Sequence, residues 1–81
     1  MSSLLQTHKD LLLKTRVKYK KRRKKLGYTQ RDLATWSGVS LGSLKRFEQT
    51  GKIAYESLLK LSVFLECIDD FDLVCEDRSE V

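Results

Sequence analysis

Glycines and small hydroxyl residues cut the middle of this chain into pieces short enough to suit small helices better than strands. Gly27, Gly38 and Gly51 stand at turn-like positions, and the chain has no proline. Thr29 and Ser40 each follow a glycine by two residues. Both read as helix N-caps, whose side-chain oxygen takes an otherwise unpaired backbone N–H. Asp32, three residues after Thr29, makes a variant of the capping box. Gly27, Ser37-Gly38 and Thr50-Gly51 read as helix stops.

Four helical segments follow from this punctuation. The first runs from about Leu11 to Leu26. Its apolar positions (Leu12, Leu13, Val17, Tyr19, Leu26) are sparse and its last turns are almost wholly Lys and Arg, so it must be only partly buried. The basic end suits the helix dipole. The second segment starts after Thr29, with Leu33 and Ala34 as a small apolar face, and Val39 follows it as a buried plug. In the third, Leu44 and Phe47 share one face while Lys45, Arg46 and Gln49 point elsewhere. The fourth covers roughly Tyr55 to Cys67. There Leu58, Leu61, Leu65 and Ile68 keep helical spacing, and Leu59, Val63 and Phe64 widen the stripe toward an oligomer contact. Beyond it, Asp69–Asp72 reads as one helical turn and Leu73-Val74-Cys75 as a β-prone run.

Charge is divided unevenly. The 81 residues carry a net +5, made of +9 over residues 1–26, +2 over 27–65 and −6 over 66–81. A basic front and an acidic tail imply a polyanion partner at one end and another role at the other. Nine of the twelve residues from Lys14 to Lys25 are charged. They read either as phosphate contacts or as a solvated face, with a minority touching phosphate and the others adding a long-range field. No run of 18 apolar residues exists, so no membrane span is expected. A secretory signal is not expected either. The length leaves room for one domain and none for a two-layer nucleotide-binding enzyme.

Cys67 and Cys75 are eight apart and His8 is the only histidine, which does not make a metal site. Cys67 reads as a small hydrophobe at a helix end, and His8 as solvated. Neither a nucleophile triad, a paired-carboxylate site nor a phosphate-cradling loop is visible. The chain is therefore expected to have no catalytic residues, no metal and no cofactor.

The stretch Thr29–Glu48 resembles the Cro/C1-type (XRE) helix-turn-helix family of bacterial and phage regulators. The matching elements are T-Q-x-x-L-A, the G-V-S turn, S-L-x-R-F-E, the G-Y before T-Q, and the leucine stripe of the fourth segment. The likeness covers about Arg16 to Asp70. It implies an all-α, compact, four- to five-helix lambda-repressor-like domain over 11–70, with a flexible 1–10 and an acidic tail at 71–81. In such a domain Ala34, Gly38, Val39, Leu44, Phe47 and Glu48 form the structural core of the motif. The third segment then lies in the major groove and presents Ser40, Leu41, Gly42, Ser43, Lys45, Arg46 and Gln49. Arg46 is the candidate for guanine and Leu41 for a thymine methyl. Thr29 and Gln30 would sit at phosphate, at a helix start. Arg23 would pair with Glu48, brace the third segment and lie near a phosphate. The chain departs from the commonest pattern at Leu41 and Gly42, so specificity leans on Lys45, Arg46 and DNA shape.

The resemblance implies a cytoplasmic transcriptional repressor, bacterial or phage, that binds double-stranded DNA as a homodimer on a palindrome and is nucleoid-associated when bound. A narrower likeness, S-L-G-S-L-K-R-F-E-Q-T-G-K-I with an acidic tail, is to HipB-type antitoxins, which also bind a kinase-like toxin protein. A third reading is a protein-binding adaptor without DNA activity. Trp36 reads either as packing on a lysine stem or the first segment, or as an anchor for a partner. Phe64 and Phe71 read as core or dimer contact. Residues 73–75 read as a disordered tail, as a short C-terminal β-strand used in dimerisation, or as a strand added to a partner's sheet. The acidic tail reads as solvated, as a contact for a basic partner, or as folded back on the basic segment.

Overall fold

A computed structural model describes residues 7–75, and within them the chain is all helical. Four α-helices are α1 (His8–Lys25), α2 (Gln30–Ser37), α3 (Leu41–Thr50) and α4 (Tyr55–Phe64), followed by a 3-10 helix, Ile68–Leu73. Readings for residues 1–6 and for the tail from 76 on lie outside the described residues.

Caps and stops set these boundaries. Thr29 accepts the Asp32 N–H at 3.0 Å and Ser40 accepts the Ser43 N–H at 3.1 Å. Gly38 and Gly51 close α2 and α3 in the left-handed conformation, at φ 79° and 82°. At Gly51 the side chain must also be missing because a Cβ would run into the backbone of Leu12 on α1. Two boundaries differ from the sequence expectation. α1 begins at His8 rather than about Leu11, because Thr7 and Asp10 form a full capping box. α4 stops at Phe64, short of Cys67. Glu66 turns left-handed at φ 61°, the Cys67 N–H bonds the Ser62 carbonyl, and the Glu66 N–H bonds that of Val63. That pairing closes a helix C-terminus and moves Ile68 into the next element.

The core lies where α2, α3 and α4 meet. Leu33, Ala34, Val39, Leu44, Phe47, Leu61 and Leu65 are buried there. Tyr19, Leu26, Tyr28, Leu41, Ile53, Leu58 and Cys67 pack around them. α1 lies across α3, and Tyr19 meets Phe47 edge-on with ring centres 5.5 Å apart. The turn between α2 and α3 is tied by Ser37, whose hydroxyl accepts the Val39 N–H at 3.2 Å. Ser62 is a buried polar residue that the leucine periodicity did not reveal. Its hydroxyl bonds the Leu58 carbonyl at 2.7 Å and the Tyr19 hydroxyl at 2.6 Å. Burial pushes the Tyr19 phenol up to about 12.

Residues 73–75 are not a strand. Leu73 ends the 3-10 helix, Val74 is extended and Cys75 turns left-handed at φ 60°. A strand needs a neighbour for its backbone groups, and among the described residues no strand lies beside this segment. Phe71 packs edge-on against Tyr55 at 6.1 Å, while Phe64 is exposed rather than in the core. Both cysteines are free thiols, Cys67 half-buried and Cys75 exposed.

Candidate nucleic-acid interface

α3 has two distinct faces. Leu44, Phe47 and Glu48 are buried and Leu41 is half-buried. Gly42, Lys45, Arg46 and Gln49, spaced i, i+3, i+4, i+7, form one exposed stripe, with Ser43 and Thr50 beside it. The Ser40 hydroxyl is spent in the cap and also donates to the Ser43 hydroxyl at 2.8 Å. Thr50 donates back to the Arg46 carbonyl at 2.8 Å. Lys45 and Arg46 are the long cationic side chains on this face.

A buried polar node fixes α3 in place. Arg23 grips Glu48 with two parallel bonds, Nε to Oε2 at 2.7 Å and Nη2 to Oε1 at 3.0 Å. Its remaining nitrogen, Nη1, donates to the Tyr28 carbonyl at 2.9 Å. Gln30 Nε2 donates to Glu48 Oε1 at 2.9 Å, and Arg16 Nη1 reaches the Glu48 carbonyl at 3.2 Å. The carboxylate thus ties α1 and the start of α2 to the last turn of α3, and Arg23 extends the tie to the α1–α2 loop. Burial alone would raise the Glu48 carboxyl, but the bonds from Arg23 and Gln30 outweigh it and hold it below its usual range. The family resemblance has Arg23 pair with Glu48, brace α3 and lie near a phosphate, and it has Gln30 donate to a phosphate. Arg23 is only 7 % exposed with every nitrogen engaged, and the Gln30 amide turns inward. In the free protein both serve the brace, because a buried carboxylate must be met by donors. Thr29 is exposed at the start of α2, with its hydroxyl accepting the cap bond.

The basic run sorts by residue type. All seven lysines of α1 are exposed, whereas its three arginines turn inward or along the protein surface. Arg16 and Arg23 serve the Glu48 node, and Arg22 Nε donates to the Leu65 carbonyl at 2.8 Å, closing the end of α4. A planar guanidinium makes several directed bonds at once, while an ammonium is best left hydrated. Composition alone did not separate the two roles; the difference between Arg and Lys was the available signal.

Lys52 is the residue that sequence reasoning missed. It lines a polar cleft of about 260 Å³ with Ser43, Arg46, Ile53, Ala54 and Ser57, between the flank of α3 and the start of α4. Ala54 stands at the N-cap of α4 with no side chain able to take a backbone N–H. The cleft therefore joins two cations to a helix start with open donors, an arrangement suited to an anion. The absence of Ser, Thr, Asp or Asn before Tyr55 was the legible sign. Trp36 is 49 % exposed and rests edge-on against Tyr28 at 5.0 Å.

Among the described residues, no three His, Cys, Asp or Glu side chains are grouped to hold a metal, and no helix is long and apolar enough to cross a membrane. Neither a curated protein nor a solved structure matches the chain. A family model described as helix-turn-helix matches residues 20–68, more than half of the chain. That span holds the Arg23–Glu48 brace, the α2–turn–α3 unit and the exposed stripe of α3. The family is regulatory rather than catalytic. The chain therefore belongs to the Cro/C1-type helix-turn-helix family of DNA-binding transcription regulators.

Proposed function

We propose that this chain is a cytoplasmic repressor, of bacterial or phage origin, that reads a palindromic operator as a homodimer. The carrying observation is the exposed Gly42–Lys45–Arg46–Gln49 stripe on a helix that the Glu48 node holds rigidly. α3 enters the major groove and Arg46 donates to a guanine. Lys52 and the open start of α4 take a phosphate beside it, and the lysines of α1 supply field and further phosphate contacts.

The outward face of α4 supports a second copy as the partner. Tyr55, Val63 and Phe64 are exposed along it with Leu59 between them, at 62 %, 53 % and 37 % for the first three. Glu56 and Lys60 share that face, and Asp69 and Asp72 lie beyond it. A patch with an apolar stripe and both charge signs at its border complements its own two-fold copy. The half-exposed Trp36 favours a second reading, in which an antitoxin uses α2 to hold a toxin protein.

Selection from random duplexes tests the main reading. The expected product is an inverted repeat with half-sites about 10 base pairs apart, bound with an affinity that falls steeply with salt. A single unrepeated site, or a flat salt response, is the result that rules it out. A toxin encoded beside this gene whose activity is neutralised by the wild type and not by Trp36→Ala would establish the second reading.

A further inference from the structure

Gly42 answers to nothing inside the protein. Of the four glycines, Gly27, Gly38 and Gly51 take left-handed backbone that other residues rarely adopt. Gly42 has ordinary helical backbone in the first turn of α3, and a Cβ added to it would meet nothing within 4 Å. A glycine there weakens the helix relative to alanine. Among the described residues, no turn or close contact at Gly42 offsets that loss.

Its surroundings point outward. Gly42 begins the exposed stripe that continues through Lys45, Arg46 and Gln49. Its neighbours are low. Ser40 and Ser43 bond to each other at 2.8 Å, and Leu41 leans half-buried onto the core. The first turn of α3 is thus a smooth tip with no long side chain before Lys45.

We propose that Gly42 is the point of closest approach between α3 and the DNA duplex, where helix backbone rather than a side chain lies against the groove. This rests on the DNA-reading function proposed above and adds where and why the helix fits. The missing side chain lets the tip of α3 enter deeply enough to bring Lys45 and Arg46, one turn on, to base edges. The base pair beneath Gly42 is then selected by fit rather than by hydrogen bonds.

Gly42→Ala and Gly42→Leu test this, each measured by thermal unfolding and by fluorescence anisotropy on the selected operator and on a random duplex. The alanine variant should melt higher than wild type, by roughly 2–5 °C. It should also bind the operator about tenfold more weakly, and the leucine variant more weakly still. Wild-type affinity in both variants, with wild-type binding intact, overturns the inference and leaves the DNA function standing. A lower melting temperature for Gly42→Ala also overturns it, since the glycine would then serve the fold. Absence of wild-type binding to any duplex overturns the underlying function and the inference together.

Discussion

α1 and α4 flank the same helix-turn-helix unit but are held to it by different forces. α4 is attached by leucines: Leu61 and Leu65 are buried, with Leu58 beside them. α1 buries no apolar side chain completely, and its one buried residue is Arg23. Hydrogen bonds from Arg16, Arg22, Arg23 and Tyr19 fasten it to α3 and to the end of α4. The outward faces differ too: α1 shows its lysines to solvent, with Leu11, Leu13 and Val17 among them, and α4 shows Tyr55, Val63 and Phe64. A helix that must present cations to a polyanion has few positions left for apolar anchors. Its arginines then do the anchoring, and bidentate geometry stands in for buried area. The helix free of that duty anchors by leucine and leaves Tyr55, Val63 and Phe64 exposed.

The sharpest test of the contrast is to cut each anchor. Glu48→Ala leaves the Arg23 guanidinium buried without its anion, a change that costs about 3–5 kcal/mol in folded proteins. Leu61→Ala leaves a cavity and costs about 2–5 kcal/mol. Urea unfolding distinguishes them through double variants. Arg23→Met with Glu48→Leu should recover much of the loss, because an ion pair replaced by apolar groups is far less damaging than one cut in half. No second substitution among the α1 arginines should rescue Leu61→Ala. If the double variant is as unstable as Glu48→Ala, α1 is not held by the ion pair in the way described.

Acid separates the anchors further. The Glu48 carboxyl titrates below its ordinary value when folded. Its contribution is therefore fully present above about pH 4.3, the usual glutamate value, and is lost as pH falls through the lower folded value. Wild type and Leu61→Ala should lose stability in parallel over that window. Glu48→Gln should start lower at neutral pH and lose less on acidification, so the curves converge. Parallel curves for all three would place the acid sensitivity elsewhere than at Glu48.

The fold was legible because its signals are local. The caps at Thr29 and Ser40 and the stops at Gly38 and Gly51 fix α2 and α3, and the leucine spacing marks the buried side of α4. The Arg23–Glu48 pairing rested on the family resemblance, since nothing local links two residues 25 apart. What stayed hidden depends on contacts across the chain. Ser62 reads as a break in an apolar stripe until Tyr19 is placed over it. Arg22 reads as one more cation until it meets the end of α4. Lys52 gains meaning only when the chain after Gly51 folds back beside Arg46. The β-prone run at 73–75 is a different case: its local preference is real, but a strand is made by its neighbour.

The smallest effect on stability should come from the outward faces, and there the two helices differ in what else changes. Lys20→Gln with Lys24→Gln removes two exposed charges of α1. Such surface changes alter stability by about 0.5 kcal/mol or less. Binding to operator and random duplexes should weaken alike. The slope of log affinity against log salt should become shallower by roughly one for each lysine that touches phosphate. Val63→Lys on α4 should leave both stability and that slope nearly unchanged for a single half-site. It should instead convert the protein to monomers in analytical ultracentrifugation and remove tight binding to the full palindrome. If Val63→Lys remains dimeric, the second copy does not dock on α4. If the lysine pair leaves the salt slope unchanged, the cations of α1 act through their distant field and not by contact.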